Sequence, residues 1–178
     1  MAFGTGPSCD IRLNTSLNDE QRAKFQNTTV IRDLLGSART IAVVGMSAEK
    51  TKASNMVGSY LQDEGYEVIP VNPRAQEILG KKVYPDLRSI PFPVDIVDIF
   101  RPPSEVASIV DDAIAIGAKA VWMQLRLIDM AAAQKALDAG LMVVADRCIK
   151  MEHGRYCGAL HWAGMNTELV TAQRRKLM

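Results

Sequence analysis

Gly45, Ser47, Lys50, Lys52 and Ser54 stand close together, directly after the apolar run Ile41-Ala42-Val43-Val44. A glycine there lets the chain turn sharply and leaves its backbone open. Ser47 adds a hydroxyl, and the two lysines add positive charge. Ser54 is placed to cap a helix whose Met56, Val57, Tyr60 and Leu61 share one face. The chemistry this spacing serves is anion binding. The first N–H groups of a helix have no intrahelical partner, and they point at whatever lies beyond the preceding strand. An ordinary βα turn contains the same ingredients, so the other strand ends must decide between the two.

Those ends are informative. The fingerprint GxGxxG would follow the first strand of a dinucleotide site, yet the position two after Gly45 is Ser47, and no third glycine follows at the expected spacing. Ser47 and the longer loop suit a phosphate held further out. The second strand ends at Val71-Asn72-Pro73-Arg74, where an NAD site would carry an acid for the ribose hydroxyl. A cation at that place would pair with a phosphate on the ribose, which favours NADP or coenzyme A.

Several elements must position these groups. The apolar stretches Thr40–Val44, Tyr66–Val71, Val94–Phe100, Ala118–Met123 and Leu141–Ala145 read as strands buried on both faces. Helical spacing lies between them. It runs from Ser54 to Gly65, from Ser104 to Gly117 with Val106, Ile109, Val110, Ala113 and Ile114 on one face, and from a cap at Asp129 to Gly140. Lys82-Val83-Tyr84 is a candidate short strand. A helix is expected from Leu17 to about Leu35, closed by Gly36, and residues 1–15 read as a mobile polar arm. Strands alternating with helices at this rhythm mean parallel pairing in an α/β domain. Right-handed crossovers then place Gly45, Asn72, Phe100, Gln124 and Asp146 on one edge.

Composition bounds the function. With 178 residues, 48% hydrophobic and 23% charged, the chain suits one domain with a substantial core. A net charge of +1 advertises neither nucleic acid nor an anionic membrane as partner. Apolar runs are strand-sized, and the N-terminus lacks the apolar region of a secretory signal. Cys9, Cys148 and Cys157 are odd in number and form no CxxC pair, which fits a reducing cytoplasm.

The segments Ile41–Ser47, Tyr66–Pro73, Val94–Arg101, Ala118–Gln124 and Val143–Lys150 resemble the small bacterial and archaeal CoA-binding proteins. That family is similar to the CoA-binding domain of the succinyl-CoA synthetase α subunit. The pieces Gly-Tyr-Glu-Val-Ile-Pro-Val-Asn-Pro and Asp-Arg-Cys-Ile-Lys carry the likeness. It implies a Rossmann-like three-layer α/β/α fold with a mostly parallel six-stranded sheet. It also implies a division into an N-terminal helical arm (1–27), a single CoA-binding domain (28–155) and a C-terminal tail (156–178). Carried over, Gly45, Ser47, Lys50, Lys52 and Ser54 face phosphate, Asn72, Pro73 and Arg74 lie by the adenosine end, and Phe100, Arg101 and Gln124 line the pantetheine side. Many members have glycine after the Gln-Leu pair; this chain has Arg126, a long side chain that could block the ligand or add a cation.

Catalytic groups are scarce. Asp95 and Asp98 lie three apart in a strand, so they face opposite sides and cannot work as an acid–base pair. Cys148, His153, Cys157 and His161 are spaced like soft metal ligands, but Gly154, Gly158 and Gly164 argue against a continuous helix through them, and a loop-rich tail is expected instead. Cys148, beside Arg147, could exchange with a ligand thiol or simply pack at the strand's end. Trp122 and Met123 are expected in the core. The reading is a cytoplasmic, non-catalytic module that binds coenzyme A or an acyl-CoA, with no catalytic and no metal-ligating residues. An NADP-dependent oxidoreductase and an interaction protein with a vestigial nucleotide site are the alternatives.

Overall fold

The structure is a computed structural model and describes residues 17–157. In chain order the elements are α1 (Asp19–Phe25), α2 (Thr28–Ser37), β1 (Thr40–Val44), α3 (Ala53–Asp63), β2 (Glu67–Val71), β3 (Glu77–Ile78), β4 (Lys81–Lys82), β5 (Ile96–Ile99), α4 (Pro103–Ala115), β6 (Ala120–Met123), α5 (Met130–Asp138), β7 (Met142–Val144) and α6 (Ile149–Tyr156). Five strands form one all-parallel sheet in the order β2-β1-β5-β6-β7. The expected sixth strand does not join it. Residues around Lys82 instead fold into the antiparallel β3–β4 hairpin, and Tyr84 makes a single bridge to Val71. Pro73 and Pro85 bracket this segment, and proline cannot donate to a ladder.

Strand periodicity sorts the core. Ala42, Val44, Val97 and Ile99 point to one face, where they meet Val106, Ile109, Val110 and Ala113 of α4 and Ala132, Ala133 and Ala136 of α5. Ile41, Val43 and Ile96 point to the other, against Ile31, Leu34 and Leu35 of α2, Val57 and Leu61 of α3, and Ile149 of α6. Helices therefore cover both faces, and every C-terminal strand end lies on one edge. Trp122 and Met123 are fully buried.

Two helices replace the single one expected before β1. Asn27 breaks the run: its side chain accepts the N–H groups of Thr29 and Val30 and starts α2 afresh, so that Gly36 falls inside a helix. The short α1 caps the exposed edge of β7. Phe25 is buried in the α4–α5 layer, the Phe25 carbonyl accepts the Ala145 N–H, and Gln26 Nε2 donates to the Ala145 carbonyl. Helix starts also shift. Pro102, not Ser104, is the cap of α4. Asp129 caps α5 as its sequence position predicts, its carboxylate accepting the Ala132 N–H.

The N-terminal ends of the inner strands β1 and β5 are pinned together by Asp95. Its Oδ2 accepts the N–H groups of Arg39 (2.7 Å) and Thr40 (3.0 Å), and its Oδ1 meets Lys119 Nζ at 2.7 Å. Burial alone would raise its pKa, but the ammonium and the amides bring it down to about 2. A depressed carboxyl stabilises the fold above its unfolded pKa and loses that contribution as pH falls through the folded value. Asp95→Ala is therefore expected to cost on the order of 1–2 kcal/mol at pH 7. Urea unfolding should show the deficit shrinking from about pH 4 towards pH 2; a deficit constant across that window would contradict this role.

Candidate functional site

The chain runs from β1 out to β2 and then crosses back to β5 on the other side of β1. The switch point is thus the gap between the ends of β1 and β5, where such sheets place their ligands. Gly45 fills that gap. Its N–H donates to the Val71 carbonyl at 2.9 Å, while the Phe100 N–H donates to the Val44 carbonyl at 2.8 Å. Its φ is +84°, and a Cβ there would stand 2.6 Å from the Phe100 carbonyl oxygen and 2.5 Å from Arg101 Cδ. The glycine is demanded by the protein's own packing before any ligand is considered.

The following loop is tied to the first turn of α3. Ser47 N–H donates to Ser54 Oγ (3.0 Å), the Ser47 carbonyl accepts from Asn55 Nδ2 (2.8 Å), and Ser47 Oγ accepts the Glu49 N–H (3.1 Å). The Ser47 hydroxyl proton is left to donate. Ser54 is not the helix cap that its position predicts. Lys52 holds that place with no side-chain hydrogen bond, so no side chain caps the first-turn amides of α3, and the buried Ser54 is a strut for the loop. Lys50 and Lys52 are exposed, and Lys52 Nζ lies 3.8 Å from a Glu49 carboxylate oxygen.

At the end of β2, Asn72 bridges two loops. Its Nδ2 donates to the Met46 carbonyl (2.8 Å), and its Oδ1 accepts the Arg74 N–H (2.9 Å). Pro73 and Arg74 project beyond it and are exposed. Among the described residues no carboxylate pairs with the Arg74 guanidinium. Arg101 differs. Its Nε and Nη2 grip both oxygens of Glu105 at 2.8 and 2.7 Å, while its methylenes cover Gly45. Phe100 is half-buried against the layer of α2, α3 and α6.

At the end of β6, Gln124 is buried, and its Nε2 donates to Asp98 Oδ1 at 2.7 Å. Asp98 is wholly buried in the centre of the sheet, between Val43 and Trp122. Burial pushes its pKa up to about 8 against the opposing bond from Gln124. Sequence reasoning set Asp98 aside with Asp95. The available signal was an acid between Val97 and Ile99, inside a strand apolar on both faces. Cys148 stands at the head of α6, half-buried. Burial raises its pKa, with Asp98 and Glu152 adding to the rise, while the amides of Met151 and Lys150 oppose it. A raised pKa leaves a thiol rather than a reactive thiolate at neutral pH.

The ends of β6 and β7 are joined through strained backbone. Arg126 has φ +65° and Asp146 φ +56°, and the Arg126 N–H donates to Asp146 Oδ1 at 2.7 Å. Left-handed backbone is the natural place for glycine. Arg126 is exposed, and the physical reason for glycine here is its backbone angle. Arg126→Gly is expected to raise stability by about 0.5–1 kcal/mol. A lower melting temperature in the variant would show that the side chain makes a contact that outweighs the strain.

Helix rather than loop covers Ile149–Tyr156, where α6 includes the buried Gly154; Gly158, Gly164 and the expected tail beyond lie outside the described residues. Packing against α3 overrides the low propensity of glycine. His153 is buried there, with Nδ1 2.9 Å from the Tyr60 hydroxyl and its ring edge-on to Tyr60 and Tyr66. Among the described residues no three His, Cys, Asp or Glu side chains gather as metal ligands; His161 lies outside them. No described helix is long and apolar enough to cross a membrane.

An all-parallel sheet covered by helices on both faces, with a glycine turn closing its switch point and an uncapped helix start beside it, defines a Rossmann-like α/β domain. Residues 39–154 match the family described as CoA binding domain, and the chain belongs to that family. It is 37% identical over 123 residues to the uncharacterized protein YneT of Bacillus subtilis, covering 69% of this chain and 91% of that protein. It is also similar to the structure of a hypothetical protein from Pyrococcus horikoshii, with a TM-score of 0.71, 41% identity, and coverage of 74% and 92% of the two chains. An ADP-forming acetate–CoA ligase of Archaeoglobus fulgidus is 27% identical over 123 residues, which span 64% of this chain and 18% of that enzyme.

Proposed function

We propose that the protein binds coenzyme A or an acyl-CoA across the C-terminal strand ends, as a binding module without chemistry of its own. The observation that carries this reading is the start of α3, uncapped by any side chain, beside the β1–β5 switch point in a chain of the CoA binding domain family. The diphosphate lies at the start of α3, where the helix dipole and the first-turn amides favour negative charge, with Ser47 donating and Lys50 and Lys52 adding screened attraction. The adenosine end lies over Asn72 and Pro73. Arg74, whose guanidinium meets no carboxylate among the described residues, takes the ribose 3′-phosphate. Phe100, Arg101 and Gln124 flank the pantetheine arm. A cytoplasmic location accords with its cysteines and with the intracellular supply of such a ligand.

Calorimetry with CoA and with 3′-dephospho-CoA tests this. Wild type is expected to bind CoA more tightly, by about 1.5–3 kcal/mol for one desolvated charge-assisted contact. Arg74→Ala should bind the two ligands nearly equally. Equal affinities in wild type would remove Arg74 from that role. Absence of binding to either ligand at millimolar concentration would defeat the CoA reading.

A further inference from the structure

Asp98 is a buried acid with one committed oxygen. Oδ1 takes the Gln124 amide, and Oδ2 is sealed in the interior with no partner among the described residues. Its neighbours on that face are apolar: Val43, Ile96 and Trp122. A leucine would pack there at less cost than a carboxyl whose second oxygen goes unsatisfied. The one thing the acid does that a leucine cannot is hold Gln124. Gln124 Oε1 has no donor among the described residues, and Gln124 stands directly after β6, on the strand-end edge.

We propose that Asp98 is a positioning residue, which grips Gln124 by Nε2 so that the Oε1 acceptor is the atom shown to a ligand. The site is thereby matched to a ligand bearing an amide N–H, not to one offering only acceptors. This rests on the CoA reading, since the pantetheine arm carries two secondary amides. An amide side chain can turn over and exchange donor for acceptor at almost no steric cost. A buried, immobile carboxyl prevents that as long as Oδ1 only accepts: whether Asp98 is ionised or carries its proton on Oδ2, Oδ1 offers Nε2 a lone pair and has no hydrogen for Oε1. Other titratable groups of this layer do not compete for the carboxyl. Cys148 at the head of α6 acts on it through the field alone, Glu152 is held by Arg155, His153 is engaged with Tyr60 of α3, and Arg32 and Asp33 of α2 are exposed.

The test compares Asp98→Leu and Asp98→Asn with wild type, using CoA and adenosine 3′,5′-bisphosphate, which is the nucleotide end without amides. Asp98→Leu is expected to bind CoA about tenfold more weakly, the loss of one well-placed hydrogen bond. Asp98→Asn keeps a carbonyl oxygen for Nε2 and should restore affinity to within about threefold, on the same argument. The bisphosphate should bind all three proteins alike. Unchanged CoA binding in Asp98→Leu, or equal loss of both ligands, would overturn the proposal. A second readout needs no ligand: the side-chain amide resonances of Gln124 should move with pH as Asp98 titrates in wild type, and stay still in Asp98→Asn. If wild type binds neither ligand, the CoA reading falls and the amide resonances alone decide whether Asp98 orients Gln124. A pH-insensitive Gln124 in wild type would then end the proposal.

Discussion

Asp98→Asn is expected to be more stable than the wild-type protein at pH 7, by on the order of 3 kcal/mol. In the unfolded chain this carboxyl ionises at its ordinary value of 3.8; in the folded chain burial delays ionisation to about pH 8. A carboxyl whose pKa is raised by folding makes the folded state bind more protons than the unfolded state across the interval between the two values. Stability then falls as pH rises from about 4 to about 8 and is level beyond it. Asparagine cannot ionise, so the gap between variant and wild type should open across that interval. Denaturant unfolding of both proteins at pH 5, 7 and 9 measures it. Parallel curves, offset by the same amount at every pH, would show that Asp98 is already ionised or already compensated in the fold.

Gly45→Ala should lie at the other extreme, destabilised by about 3–5 kcal/mol or failing to accumulate folded protein. Two separate obstacles add here. The backbone sits at φ +84°, and the new methyl would press on the Phe100 carbonyl oxygen at 2.6 Å. The second is the harder, because the atom in the way is main chain directly after the central strand β5, in the residue whose own N–H is bonded to the Val44 carbonyl. Gly58→Ala is the useful comparison, since the atoms near its Cβ belong to the flexible Met46 side chain, which can move. A Gly45→Ala protein with wild-type melting temperature and CoA affinity would mean that the ends of β1 and β5 part easily, and that the switch point is looser than this packing requires.

Much of the architecture was legible because it depends on local patterns. Apolar runs of five to seven residues, separated by helical spacing, suit strands buried on both faces of a parallel sheet, and that topology gathers Gly45, Asn72, Phe100, Gln124 and Asp146 on one edge. Asp129 was recognisable as a cap because an N-cap is satisfied within its own turn. Ser54 and Ser104 look the same in sequence and are not caps. Ser54 is drawn away by the Ser47 amide, seven residues earlier, and Pro102 begins α4 before Ser104 is reached.

What the chain's own residues determine, then, is the alternation, the parallel sheet, the glycine turn and a cation at the end of β2, since each follows from residue type and near spacing. What tertiary structure alone decides is how each of those side chains is used. Arg101 turns back to Glu105 while Arg74 meets no carboxylate among the described residues, although both follow a strand and look equally available. Gly154 sits inside a helix because α6 packs against α2 and α3. Asp98 becomes a neutral acid gripping Gln124, twenty-six residues away, because β5 is the central strand and leaves it no water. Burial and long-range hydrogen bonds are properties of the assembled layers, and a carboxyl's charge depends on its surroundings more than on its neighbours in sequence.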